Sequence, residues 1–203
     1  VDEWLELANL TEETIELSGW TITGAATSSA TLAIPDGASV GPHSTFLISN
    51  YDQDNAKSSL AHASDFVTAS VSLSNSDLGL GLVDAGGTIR DVAGSGGAPL
   101  AGRTGGGDEP PGAGPAAMVR IAPVADGMLA DSWTTAAESS GFDIGAVEFG
   151  TPGAIEGWFV KTAAEDPEVL EGLVETAIES VEEIQAAVED PAPIESVAET
   201  PPI

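Results

Sequence analysis

Few residues of this chain combine a reactive type with a useful spacing. Asp52, Gln53, Asp54 and Asn55 run consecutively and offer oxygens at the first, third and fourth positions of a loop, a donor set that suits a hard cation such as Ca²⁺. The glycine that lets a calcium loop turn is missing, and Ala63 stands where its closing glutamate would be. A solvated turn is therefore favoured, and Asp52, Asp54 and Asn55 are the metal candidates. Asp108 and Glu109 form a weaker acidic pair in a glycine-rich stretch. His43 and His62 occupy turn-like contexts without ligand-spaced partners, and neither His-Glu-x-x-His nor Gly-x-Ser-x-Gly occurs. Ser95-Gly96-Gly97 has no following lysine and opens no helix, so it is not a phosphate cradle. Paired-carboxylate catalysis requires two acids in a cleft, but a chain with 33 Asp and Glu places some together by chance. The sequence offers no catalytic residue and no cofactor site.

That acidity excludes whole classes of partner. Against the 33 acids stand 5 Lys and Arg, a formal net charge of −28 over 203 residues. Duplex nucleic acid requires clustered cations that are absent, and an anionic bilayer repels the same surface. Cysteine is absent too, which removes disulfides, thiolate metal sites and cysteine nucleophiles. No window approaches the roughly 18 apolar residues of a membrane span. The start, VDEWLELANL, has neither an initiator Met nor a basic leader, so it reads as a processing boundary with no targeting segment.

Short alternating runs bounded by turn residues predict strands at Trp4 to Leu7, Thr14 to Leu17, Trp20 to Thr23, Thr31 to Ile34, Thr45 to Ser49, Leu78 to Val83, Thr88 to Val92 and Met118 to Ile121. Such spacing suggests an all-β sandwich or barrel. Pro35-Asp36-Gly37, Gly41-Pro42 and Asp84-Ala85-Gly86-Gly87 supply turns, the last of them a hairpin loop. Leu78, Leu80 and Leu82 alternate with Gly79 and Gly81, so one face of that strand is apolar and the other bare, open to close approach by a neighbour. Gly94 to Pro115 lacks hydrophobic periodicity and reads as a long mobile excursion. Trp20 and Trp133 have the type for ligand stacking, but Trp20, beside Ile22, is expected in the core, while Trp4 is expected to be partly exposed.

Composition shifts near Gly153, which divides a β domain over 1–154 from an acidic tail over 155–203; the charge splits as 4 − 20 = −16 and 1 − 13 = −12. Leu170, Val174, Ala177, Val181, Ile184 and Val188 recur at steps of four and three, predicting an amphipathic helix with Asp166 as cap, Pro167 in its first turn and Asp190-Pro191 at its end. The stripe has the spacing for weak self-association as a coiled coil, although its many glutamates repel across a parallel seam. A Pro-rich end follows.

From Trp4 to Ile22 the chain reads WLELANLTEETIELSGWTI, which resembles the lamin-tail domain family: an aromatic–hydrophobic–Glu–Leu–x–Asn strand, a polar turn, and a strand closing on Leu-x-Gly-Trp. The resemblance continues through Ile34-Pro35-Asp36-Gly37, Val40-Gly41-Pro42 ahead of Phe46-Leu47-Ile48, Ser72 to Ser76 before LGLGLVD, Ile89 to Val92, Met118 to Ile121, Trp133 and Gly150 to Ala154, covering about residues 2 to 154. It implies an immunoglobulin-like β-sandwich without catalytic residues. In prokaryotes such domains resemble extracellular or envelope-associated modules. The family's strand carries a Glu at Glu6, expected on the strand's outer face or tying down a loop by accepting N–H groups rather than in acid–base work. Members usually begin with one further strand, of the type Ile-x-Ile-Asn-Glu-hydrophobic, for which this chain has no room. Either truncation or an unpaired sheet edge is expected, and an open edge is a site for strand addition.

The expected function is thus a non-catalytic interaction or display module at the cell envelope or outside the cell. It would bind a protein or envelope component through end loops or a sheet edge, with no nucleic acid and no membrane insertion. The alternatives are a structural spacer adapted to high salt and a cation-dependent binding module.

Overall fold

A computed structural model describes residues 2–26, 31–105, 114–121 and 126–155. The helix expected over 170–188, its apolar stripe and the pair Asp108 and Glu109 lie outside them. Eleven strands follow in chain order: β1 Trp4–Asn9, β2 Ile15–Glu16, β3 Thr21–Thr23, β4 Leu32–Ala33, β5 Ser39–Val40, β6 Ser44–Ser49, β7 Phe66–Val67, β8 Leu78–Val83, β9 Ile89–Gly97, β10 Met118–Arg120 and β11 Trp133–Thr135. No α-helix occurs among the described residues, and a short 3-10 turn at Ala130–Ser132 leads into β11.

One sheet has the order β1-β6-β7 and another β4-β3-β8-β9, with β2-β5 and β10-β11 as small ribbons. Side chains alternate across a strand, so Leu5, Leu7, Phe46 and Ile48 share one face of the first sheet. That face meets Ile22 of β3 and Leu32 of β4 in a single core that also takes in Leu17, Ile34, Val40 and Val71, with Trp20 packed half-buried against it. The described residues are therefore all-β, with two open sheets sharing a core in the manner of an immunoglobulin-like domain.

The opposite face of the first sheet is covered as well. Leu47 and Ser49 point away from the shared core, yet they are only 2% and 0% exposed. On this face Trp4, paired with Ser49, packs against Phe142 with ring centroids 6.2 Å apart. Glu6, paired with Leu47, meets Gly153. The segment from Gly141 to Ala154 thus lies over β1 and β6, tied along its course by Ala61 N–H to Gly141 C=O and Asp143 N–H to Ser59 C=O.

The bare face of β8 is used as its glycines suggest. A Cβ on Gly81 would stand 2.7 Å from Thr23 Oγ1, and one on Gly24 would meet the Gly79 carbonyl at 2.1 Å. The expectation for Gly94 to Pro115 needs correction. Gly94–Gly97 continues β9 opposite Leu78, and Arg103 bridges to Ala116. Gly94 and Gly96, at φ 86° and 81°, bend the strand where the register shifts, so the main-chain ladder persists without apolar alternation.

Candidate functional site

The site most open to a partner is the outer edge of β1. Leu47 N–H donates to Asp65 Oδ2 and Ser49 C=O accepts from Thr68 N–H, so these two residues of β6 turn their main-chain groups toward β7. Antiparallel ladders alternate, so Ser44, Phe46 and Ile48 bond β1 through Asn9, Leu7 and Leu5. The main-chain groups of Trp4, Glu6 and Ala8 consequently point outward, and among the described residues no strand lies beside them. Beneath this edge Leu5 and Leu7 are only partly buried. The other long edge is shielded: β9 carries Gly127 C=O against Gly94 N–H, and the Arg120 guanidinium against Val92 C=O.

Both ends of β1 are fixed by polar groups. At its end Asn9, 1% exposed, donates from Nδ2 to the carbonyls of Glu13 (2.7 Å), Val40 (3.1 Å) and Gly41 (2.8 Å). Its Oδ1 accepts from the Thr11 N–H and hydroxyl. At its start Asp2 Oδ2 accepts from Ser59 N–H and both Ser58 and Ser59 hydroxyls, and Glu3 Oε2 accepts from Leu73 N–H. Glu6 Oε1 accepts Gly153 N–H at 2.6 Å, the loop-tying role expected of it. Burial under the 150–154 turn pushes the Glu6 carboxyl up to about 7, against the lowering effect of the Gly153 N–H and the Thr45 hydroxyl; the Asp65 charge adds to the rise.

Two of the three metal candidates, Asp52 and Asn55, each use one oxygen within the loop. Asp52 Oδ1 accepts Asp54 N–H and Asn55 Oδ1 accepts Lys57 N–H, as in Asx turns, while the Lys57 ammonium lies over Tyr51 in the same loop. No group of three His, Cys, Asp or Glu among the described residues is placed to hold a metal ion. His43, at φ 47°, pairs its Nε2 with Glu12 at 2.9 Å. Trp133 carries the Arg120 guanidinium 4.2 Å from its ring centroid and donates Nε1–H to Gly127 C=O, so one face of this aromatic is already stacked. Arg120 also donates to both Asp91 oxygens at 2.8 Å. Asp84 closes the β8–β9 hairpin: the N–H of Thr88, foremost, together with Arg90 and the Gly86 N–H, holds its carboxyl below the usual range, against a smaller opposing effect of desolvation.

Sequence reasoning placed Glu6 correctly but had no means of finding Asn9's five bonds or the stack of Arg120 on Trp133, which joins residues far apart in the chain. No helix among the described residues is long and apolar enough to cross a membrane.

No curated protein and no solved structure matches the chain. The stretch that a family model does match, residues 1–97, ends with β9, short of the last motifs of the resemblance at Met118 to Ala154. It contains the Trp4–Asn9 strand, its Glu6 and Asn9, and both sheets around the shared core. Over residues 1–97, just under half of its length, the chain matches the Lamin Tail Domain.

Proposed function

We propose that this protein is a non-catalytic interaction module of an extracytoplasmic or envelope-associated prokaryotic protein, and that it binds by accepting an extended segment along β1. The observation that supports this is the outward row of Trp4, Glu6 and Ala8 main-chain groups above half-buried Leu5 and Leu7. An added strand satisfies the open groups by main-chain hydrogen bonds, and its alternate side chains cover the exposed flank of the core. An edge of this length left bare invites uncontrolled pairing, which native chains avoid.

The test uses the full chain, isotope-labelled, titrated with an extended heptapeptide alternating valine and threonine. Binding protects the Trp4, Glu6 and Ala8 amides from exchange. Ala8→Pro abolishes that protection while the chain stays folded, because the lost N–H points outward. Unchanged exchange at these amides in millimolar peptide, or equal binding by Ala8→Pro, refutes the reading.

The spacer alternative has its own support. All four basic residues among the described ones are engaged: Lys57 over Tyr51, Arg103 over Phe149, Arg120 over Trp133 and Arg90 with Asp84. The remaining acids repel one another, and salt screens that repulsion. Adaptation to high salt requires the melting temperature to rise from low to molar KCl; a flat or falling curve removes this reading.

A further inference from the structure

We infer that the segment added along β1 is cationic, an extended chain in which valine-like residues alternate with lysine or arginine, and that it comes from another protein rather than from a second copy of this one. The inference rests on strand addition at this edge and names the chemistry of the partner. The open ladder of Trp4, Glu6 and Ala8 makes the site, and the charge around it selects the occupant. Asp2, Glu3, Glu6, Glu12, Glu13 and Glu16 all fall within the first 16 residues, and the first Lys or Arg of the chain is Lys57. Glu6 lies in the middle of the edge, and Glu12 and Glu13 are exposed in the turn just beyond it. The described cations are engaged with other groups: Lys57 lies over Tyr51, Arg103 over Phe149 and Arg120 over Trp133, and Arg90 pairs with Asp84.

The ladder sets the pattern. An antiparallel strand that bonds Trp4, Glu6 and Ala8 places one residue directly opposite each of them, on the outer face of the sheet, with Cβ atoms about 5 Å apart. Its intervening residues fall opposite Leu5 and Leu7, on the side of the shared core. Valine at those positions covers the half-buried leucines, whereas lysine or arginine at the outer positions meets Glu6 and the acids flanking the strand. A second copy brings the same acids instead. The two-fold pairing that bonds all three open residues of both copies is centred on Glu6, so it sets Trp4 against Ala8 and Glu6 against Glu6. Like charges directly opposite destabilise such a pair, and each copy carries −16 over residues 1–154 besides.

The experiment titrates the isotope-labelled full chain with three heptapeptides and follows the Trp4, Glu6 and Ala8 amide signals. The peptides are Lys-Val-Lys-Val-Lys-Val-Lys, the same with threonine for lysine, and Lys-Lys-Val-Val-Val-Lys-Lys. In about 0.1 M salt, where charges act over about 10 Å, the alternating lysine peptide is expected to bind about tenfold tighter than the threonine one. Near 1 M, where that range is about 3 Å, the advantage shrinks to about twofold or less. Phe46 and Ile48, in the core, keep their signals throughout. A threonine peptide that binds as tightly as the lysine one, or a lysine advantage that salt does not reduce, overturns the cationic partner and leaves strand addition standing. Equal binding of the clustered and alternating lysine peptides reduces the effect to unspecific attraction and overturns it too. A dimer in sedimentation that the lysine peptide dissociates assigns the edge to a second copy and also overturns it. Unshifted Trp4, Glu6 and Ala8 amides with every peptide refute strand addition itself, and this inference with it.

Discussion

Replacing Asn9 by alanine tests whether β1 is fixed by that one side chain. Asn9 is 1% exposed and links three carbonyls, those of Glu13, Val40 and Gly41, to Thr11 through five hydrogen bonds. In Asn9→Ala the Val40 carbonyl is left in a buried contact without its donor, which costs about 1–3 kcal/mol. The Glu13 and Gly41 carbonyls and the Thr11 groups lie nearer water, and losing each of those bonds costs about 0.5 kcal/mol, the low end of the range. The expected loss is therefore about 3–5 kcal/mol, a large fraction of the stability of a domain this size. Urea unfolding followed by tryptophan fluorescence reads it as a fall in midpoint at constant slope. Asn9→Asp fits the same space but sets a carboxylate against three carbonyls; it is expected to be at least as damaging at neutral pH and partly rescued by acid. A loss under about 1 kcal/mol in Asn9→Ala would show that water replaces the amide and that β1 is positioned by its pairing with β6 alone.

Arg120→Ala removes a guanidinium that stacks on Trp133 and bonds Asp91 and Val92; with Arg120 only 9% exposed but Asp91 half-exposed, it is expected to cost about 2–3 kcal/mol in the same urea assay. Arg120→Lys restores less than half, because an ammonium cannot stack and fork at once. Gly24→Ala is expected to cost about 2 kcal/mol or more, since the residue sits at φ 78° and the new Cβ would stand 2.1 Å from the Gly79 carbonyl; a thermal melt unchanged from wild type contradicts that packing. Because the folded Glu6 carboxyl titrates above its unfolded value of 4.5, its contribution to stability is complete below about pH 4.5 and lost as pH rises through about 7. Discounted for partial exposure, this amounts to about 1–2 kcal/mol, and the pH profile of Glu6→Gln should lack it.

The parts of the fold that were legible in the sequence are those in which side chains carry the signal. Leu78 to Val83 alternates apolar with bare and forms β8 at those bounds, and β1 and β6 follow similar patterns with ends shifted by a residue or two. The missed strands, β5, β7 and β11, are two or three residues long. At that length no alternation is visible, and a strand exists because a neighbour already holds the partner groups in place. Gly94–Gly97 failed for the opposite reason: its ladder is main chain, which glycine supplies as well as any residue once positive φ is allowed. At the candidate site the motif pointed to Glu6 as an acceptor of N–H groups. Its raised titration was not legible, because the cover comes from Gly153, far along the chain.

The acidity has a structural use that ion-pair counting overlooks. Several carboxylates accept backbone N–H groups: Ser59 on Asp2, Leu73 on Glu3, Gly153 on Glu6, Leu47 on Asp65, Gly86 and Thr88 on Asp84, and Met128 on Asp126. A hydrogen bond to a charged group contributes about 1.5–3 kcal/mol, against about 0–1 kcal/mol for an exposed ion pair. A chain with so few cations therefore loses little local stability for lack of ion pairs, and its cost is long-range repulsion, which salt relieves. Three of these acceptors lie within the first six residues and reach loops at 59, 73 and 153, so β1 fixes later segments while no strand among the described residues pairs with its outer edge. A strand fixed in this way would pay little ordering cost on pairing, which is what the proposed strand addition requires.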